Sequence, residues 1–161
     1  MLMAGFGACA PERAPNEARV DRSPCVVRRL SDGDSFECRD GRRVRLLLVD
    51  APELAQRGIG DAARAHLATL LPRGDTTWLE FDVTPQDPFG RWLAYAWRGD
   101  TLVNEVMAAD GYAVLLRYEN VRHLARIERA VDAARRGRRG LWAQDGFRCR
   151  PVDFRGGRCA S

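Results

Sequence analysis

From Val26 onward the apolar positions come first in short runs broken by turn residues, and only later at helical spacing. Val26-Val27-Arg28-Arg29-Leu30 predicts a strand, Ser31-Asp32-Gly33-Asp34-Ser35 a glycine-centred turn with a carboxylate on either side, and Phe36-Glu37-Cys38 a second strand. Asp40-Gly41 is a hairpin signal leading into a third strand over residues 43–49, so the three form an antiparallel meander. In that third run Val44, Leu46, Leu47, Leu48 and Val49 suit a strand covered on both faces. Arg45 sits inside it, and Asp50-Ala51-Pro52-Glu53 closes it with two acids around a proline.

Ala63, Leu67, Leu70 and Leu71 recur at helical spacing, which predicts a helix over residues 60–71 ended by Pro72 and Gly74. Residues 76–83 alternate as a fourth strand with Trp78 and Phe81 as packing residues. The turn Asp87-Pro88-Phe89-Gly90-Arg91 leads to a fifth strand over residues 92–97. A short helix over residues 102–109, N-capped by Asp100 or Thr101, stops at Gly111. A last helix over residues 120–136 carries Val121, Leu124, Val131 and Ala134 inward, and Leu141-Trp142 docks back on the core. Three meander strands, a helix and two further strands are the order of an α+β fold, a five-stranded OB-type β-barrel with three α-helices. The chain divides into a leader and linker (1–24), the barrel domain (25–143) and an irregular cysteine-containing tail (144–161).

Composition narrows the partners. All 26 basic residues are Arg, against 22 acids, for a net charge of +4. Arginine favours bidentate phosphate contacts, although a GC-rich coding sequence gives the same bias. Nucleic acid is thereby permitted as a partner, and no obligate protein partner is implied. The five cysteines form no C-x-x-C pair, which argues against zinc. Cys25 with Cys38 and Cys149 with Cys159 are the expected disulfides among three possible connectivities, pointing to an extracytoplasmic location. The small apolar residues before Cys9 look like the tail of a secretory signal with a weak lipobox, so membrane attachment would come only through lipidation at Cys9. His66 and His123 suggest no catalytic triad.

Chemistry concentrates at the first turn and the end of the third strand. Asp34, Asp50 and a backbone carbonyl near Ala51 offer hard oxygen donors suited to Ca²⁺, drawn from separate loops. A guanidinium in an apolar strand is costly unless an anion meets it. Arg45, with Arg91 at the turn before the fifth strand, would then face a phosphodiester and stabilise its transition state.

Asp32-Gly33-Asp34, Arg45 to Glu53, Asp87-Pro88-Phe89-Gly90-Arg91-Trp92-Leu93-Ala94-Tyr95 and Val103-Asn104-Glu105, in this order and spacing, resemble the thermonuclease (staphylococcal nuclease-like) family. The resemblance implies a Ca²⁺-dependent phosphodiesterase that cuts DNA and RNA with little sequence preference and leaves 3′-phosphates. By position it assigns Arg45, Glu53 and Arg91 to catalysis, Glu53 as general base. It assigns Asp34, Asp50 and the Ala51 carbonyl to the metal, with Tyr118 and Arg117 left to hold a base. Ala51 stands where the family often has Thr, and Phe89 where it has Tyr before Gly-Arg, which removes a hydroxyl contact to phosphate. The alternative is a catalytically weak nucleic-acid- or ligand-binding barrel; the full set Asp34, Arg45, Asp50, Glu53 and Arg91 argues against it.

Overall fold

The computed structural model describes residues 21–56, 58–117 and 119–159. The leader, Cys9 and Tyr118 lie outside the described residues, and with them the expectations attached to those positions. Strands β1 (Arg22–Leu30), β2 (Ser35–Cys38) and β3 (Arg43–Leu46) form the expected antiparallel meander. After β4 (Val49–Asp50) and helix α1 (Ile59–Leu70) come β5 (Thr76–Glu80) and β6 (Trp92–Arg98). The order β3-β2-β1-β5-β6 is closed by parallel pairing of β3 with β6, which makes a five-stranded barrel of the OB type.

β1 serves both halves of the barrel. Its first residues pair with β5, its last with β2, and a register irregularity between Val27 and Arg29 lets it turn the corner. Cys25 and Cys38 bond across this corner with Cα atoms 5.4 Å apart, both buried in the core. A closed loop of that length stabilises by roughly 3 kcal/mol in the chain-entropy account.

The third meander strand is shorter than its aliphatic run predicts. It breaks after Leu46, and buried Leu48 turns the chain with φ 63° before β4 begins. A buried break leaves carbonyls to satisfy, and each has a named donor. The Arg45 guanidinium takes Leu46 O and Val49 O at 2.9 and 2.8 Å; the Asn104 amide takes Leu47 O at 2.8 Å; the Leu116 amide takes Leu48 O at 3.1 Å. Arg45 is thus the internal cap of the turn that follows it. Fully buried Asn104 also accepts from the Ala96 amide, tying β6 to the same turn.

Helix α2 (Val103–Ala109) begins one residue later than expected. Thr101–Leu102 pairs with β6 as β7, so Leu102, not Asp100 or Thr101, is its N-cap. After β8 (Val114–Leu115), which pairs with β4, helix α3 (Leu124–Arg136) starts four residues late. Asn120 bonds both the amide and the carbonyl of Thr84, and His123 bonds Glu80 at 2.9 Å, so the segment before Leu124 is pinned as loop. His123 therefore precedes the helix, and Val121 is exposed instead of inward; Ile127, Val131 and Ala134 fill the core face. Glu80, buried on β5, also accepts the Trp97 indole N–H at 2.8 Å, which gives His123 a structural partner. Trp78, expected to pack inward, is largely exposed, whereas Phe81 packs against Trp92.

The tail is more regular than its composition suggests. A 3₁₀ turn (Gly140–Gln144) carries Leu141 and Trp142 onto the core, and a fourth helix, α4 (Pro151–Arg155), follows, with Pro151 at the first position where its missing N–H is harmless. Cys149 and Cys159 bracket α4 in a disulfide, Cα atoms 5.6 Å apart.

Candidate active site

The Asp32-Gly33-Asp34 turn and the loop after β4 meet at one rim of the barrel. Two glycines permit it. A Cβ on Gly33 would lie 2.7 Å from the Cβ atoms of Ala51 and Ala63, and one on Gly60 would lie 2.1 Å from the Glu53 carbonyl oxygen. The turn is held by the Asp32 carboxylate, which accepts the Asp34 amide at 2.9 Å, an Asx arrangement.

Asp34 and Asp50, 5% and 1% exposed, face the same guanidinium. Arg45 Nη2 lies 2.9 Å from Asp50 Oδ1 and 3.1 Å from Asp34 Oδ2, while its Nη1 caps the two carbonyls of the turn. Asp34 Oδ2 also accepts the Ala51 amide at 2.7 Å, and its Oδ1 accepts the Ser35 hydroxyl at 3.0 Å. Pairing explains how an arginine can be 4% exposed here. Ala51 thus meets the cluster through its N–H. Glu53 lies at the mouth, partly exposed, with its amide bonded to the Gln56 side chain at 2.9 Å.

Burial pushes the Asp34 carboxyl up to about 7; Arg45 pulls it down, but neighbouring Asp32 and Asp50 add to the rise. The unfolded value is near 3.9, so between about pH 4 and 7 the folded state binds more protons than the unfolded one. This group's contribution to stability is full below about pH 4 and is lost as pH rises through about 7. In chelator, wild type should therefore lose roughly 2–4 kcal/mol more unfolding free energy between pH 5 and 8 than Asp34→Asn. Urea titrations at the two pH values measure this, and parallel losses in both proteins would contradict the assignment.

The sequence-expected residues separate into two groups. Asp34, Arg45, Asp50 and Ala51 form one connected cluster, and Glu53 joins it through a residue the sequence did not single out, Arg155 of α4. Arg155 Nη1 donates to Asp50 Oδ1 at 3.0 Å and to Glu53 Oε1 at 2.7 Å, and its Nη2 donates to Asp50 Oδ2 at 3.0 Å. Those bonds, first the one to Asp50, raise the Arg155 pKa further. Its only advance signal was that it lies inside the Cys149–Cys159 ring. Arg91 and Arg117 find other acids: Arg91 Nε bonds Asp87 Oδ2 at 2.7 Å in the turn before β6, and exposed Arg117 pairs with Glu128. Because Arg45 lies opposite Leu93 in the parallel ladder, Arg91 stands two residues upstream of Arg45's neighbour, toward the start of β3, where Arg43 bonds the Phe89 carbonyl. Phe89, 74% exposed, lies 5.8 Å from its guanidinium.

Among the described residues no three His, Cys, Asp or Glu side chains converge as a ready-made metal site. The donor chemistry nonetheless suits a hard cation: two buried carboxylates with no sulfur or imidazole, and a third carboxylate that already shares a positive group with one of them.

Comparison with known proteins agrees with this architecture. The family model described as staphylococcal nuclease homologue matches residues 43–144. A thermonuclease of Staphylococcus intermedius is 35% identical over 130 residues, covering 73% of this chain and 74% of that protein. A thermonuclease of Staphylococcus hyicus is 31% identical over 146 residues, 83% of each chain. A micrococcal nuclease of Shigella flexneri is 34% identical over 129 residues, 73% of this chain and 72% of that protein. The chain belongs to the staphylococcal nuclease family.

Proposed function

We propose that this protein is a Ca²⁺-dependent phosphodiesterase that hydrolyses DNA and RNA with little sequence preference and leaves 3′-phosphate ends. The observation that carries the reading is the convergence of Arg45, Asp34 and Asp50 at a barrel rim with Glu53 at its mouth. The Asp34 and Asp50 carboxylates, with the Ala51 carbonyl, would hold the cation; bound there, it supplies Lewis-acid polarisation of a phosphoryl oxygen. Arg45, fixed by two carbonyls and two carboxylates, presents its charge without reorganising, which is what electrostatic stabilisation of a phosphorane-like transition state requires. Glu53, more exposed than the aspartates and nearest solvent, takes the proton of the attacking water. Arg91 is half-exposed on a turn and can rotate from Asp87 to a phosphate, while Phe89 and Arg117 offer stacking and charge along the strand. Two disulfides support an extracytoplasmic location.

The test is direct. Purified, oxidised protein is incubated with single-stranded DNA and with RNA, in Ca²⁺ or in chelator, and the 3′ ends are analysed for phosphatase sensitivity. Cleavage in Ca²⁺ alone, with phosphatase-sensitive 3′ ends, is the expected result. Negligible cleavage in every tube sinks the enzyme reading, and cleavage unaffected by chelator removes the metal from it.

A further inference from the structure

The C-terminal segment is docked on the candidate active site by several contacts that depend on different residues. Buried Gln56 accepts the Glu53 amide with its Oε1 and donates its Nε2 to the Cys149 carbonyl at 3.1 Å, so one side chain joins the acidic loop to the start of the ring. Pro151 is buried, and Phe154 and Arg155 form one wall of an open cleft of about 440 Å³ whose other wall is Asp32 and Glu53. At the end of α4, Arg155 occupies both oxygens of Asp50 and one of Glu53. Asp50 Oδ1 also receives Arg45, so the Asp50 carboxylate is engaged by guanidinium donors on both oxygens. Arg45 bonds Asp50 through Oδ1, so the oxygen at issue is Oδ2: a dication arriving there would meet the Arg155 guanidinium 3.0 Å from the same atom, two positive groups competing for one carboxylate oxygen in a partly buried site.

We propose that the Cys149–Cys159 ring is an autoinhibitory strap, in which Arg155 stands where a divalent cation has to bind, so that docking of the strap and metal loading exclude one another. The inference rests on the reading of Asp50 and Glu53 as part of a metal-dependent site. The disulfide limits how far α4 can move, so it keeps Arg155 at high local concentration beside the carboxylates and sets the metal level at which the strap yields. Coupling of this kind is reciprocal: metal lifts the strap to the same extent that the strap weakens metal.

The experiment measures Ca²⁺ affinity by calorimetry, without substrate, for wild type, Arg155→Ala, Arg155→Lys and the Cys149→Ser/Cys159→Ser pair. Hydrogen exchange of residues 149–159 is followed in chelator and in Ca²⁺. Arg155→Ala should bind Ca²⁺ roughly tenfold more tightly than wild type. Arg155→Lys, which keeps the charge but loses the fork, should fall between, and the unstapled pair should lie on the tight side of wild type. In wild type, Ca²⁺ should speed exchange in the strap. Arg155 is partly exposed at the end of α4, and circular dichroism with the unchanged Cys25–Cys38 bond reports that the barrel is intact in each variant. Equal affinities in wild type and Arg155→Ala, or weaker binding in the latter, overturn the strap while leaving the metal site standing. Absence of Ca²⁺ binding in all four proteins overturns the metal-dependent reading and the strap with it.

Discussion

Arg45→Ala is expected to lose at least 10²–10³-fold in kcat and about 3–5 kcal/mol in unfolding free energy at once. The two losses have one origin. The guanidinium is the donor to Leu46 O and Val49 O where β3 breaks, and the counter-charge of two carboxylates that are almost wholly buried. Without it the turn keeps two buried carbonyls without their donor, each worth roughly 1–3 kcal/mol, and Asp34 and Asp50 face each other with Arg155 as the remaining cation at Asp50. A methionine of similar length would not help, because it supplies neither donor nor charge. Arg45→Lys separates the two functions: an ammonium keeps the charge near Asp50 but cannot reach two carbonyls and two carboxylates with one planar fork. It should recover part of the stability and little of the rate. Urea denaturation and single-turnover cleavage of a labelled oligonucleotide measure the pair of effects. An Arg45→Ala protein with a wild-type midpoint would refute the capping role, and one with near-normal kcat would refute the catalytic one.

Arg45 also shows where the sequence was legible and where it stopped. Its isolation among five aliphatics announced that an anion must lie nearby, and the acids that meet it were the ones flanking the first turn and ending the third run. The break after Leu46 was hidden, because an unbroken aliphatic pattern carries no mark of a turn made by Leu48 at φ 63°. That turn is specified by the Arg45 guanidinium together with distant donors, Asn104 and Leu116, and not by a glycine, proline or asparagine within it. The same cause shortened α3: Asn120 and His123 are committed to Thr84 and Glu80, long-range partners that override helical propensity before Leu124. The cysteine pairing was open on spacing among three connectivities, and the barrel resolves it by bringing β1 and β2 side by side. Arg155 was least legible. Nothing near it in the chain is catalytic, and only the docking of α4 through Gln56 and Pro151 brings it to Asp50.

Glu53→Gln is expected to lower kcat by 10²–10⁴-fold with stability changed by less than about 1 kcal/mol. The structural reason is that the loop is held by the Glu53 backbone, whose amide bonds Gln56 and whose carbonyl packs on Gly60, while the side chain reaches outward to Arg155 at the protein surface. An amide replaces the carboxylate with little change in shape, so the loop should keep its course. The proton acceptor is lost, and water attack must proceed without a positioned base. Metal affinity provides the control. Asp34 and Asp50 are untouched, so Ca²⁺ should bind at least as tightly as in wild type, and somewhat more tightly if weakening one of the Arg155 contacts loosens the strap. Substrate KM should move little, as Glu53 carries no charge complementary to phosphate. A variant that keeps kcat within threefold of wild type would assign the proton to another acceptor and leave Glu53 as the surface partner of Arg155.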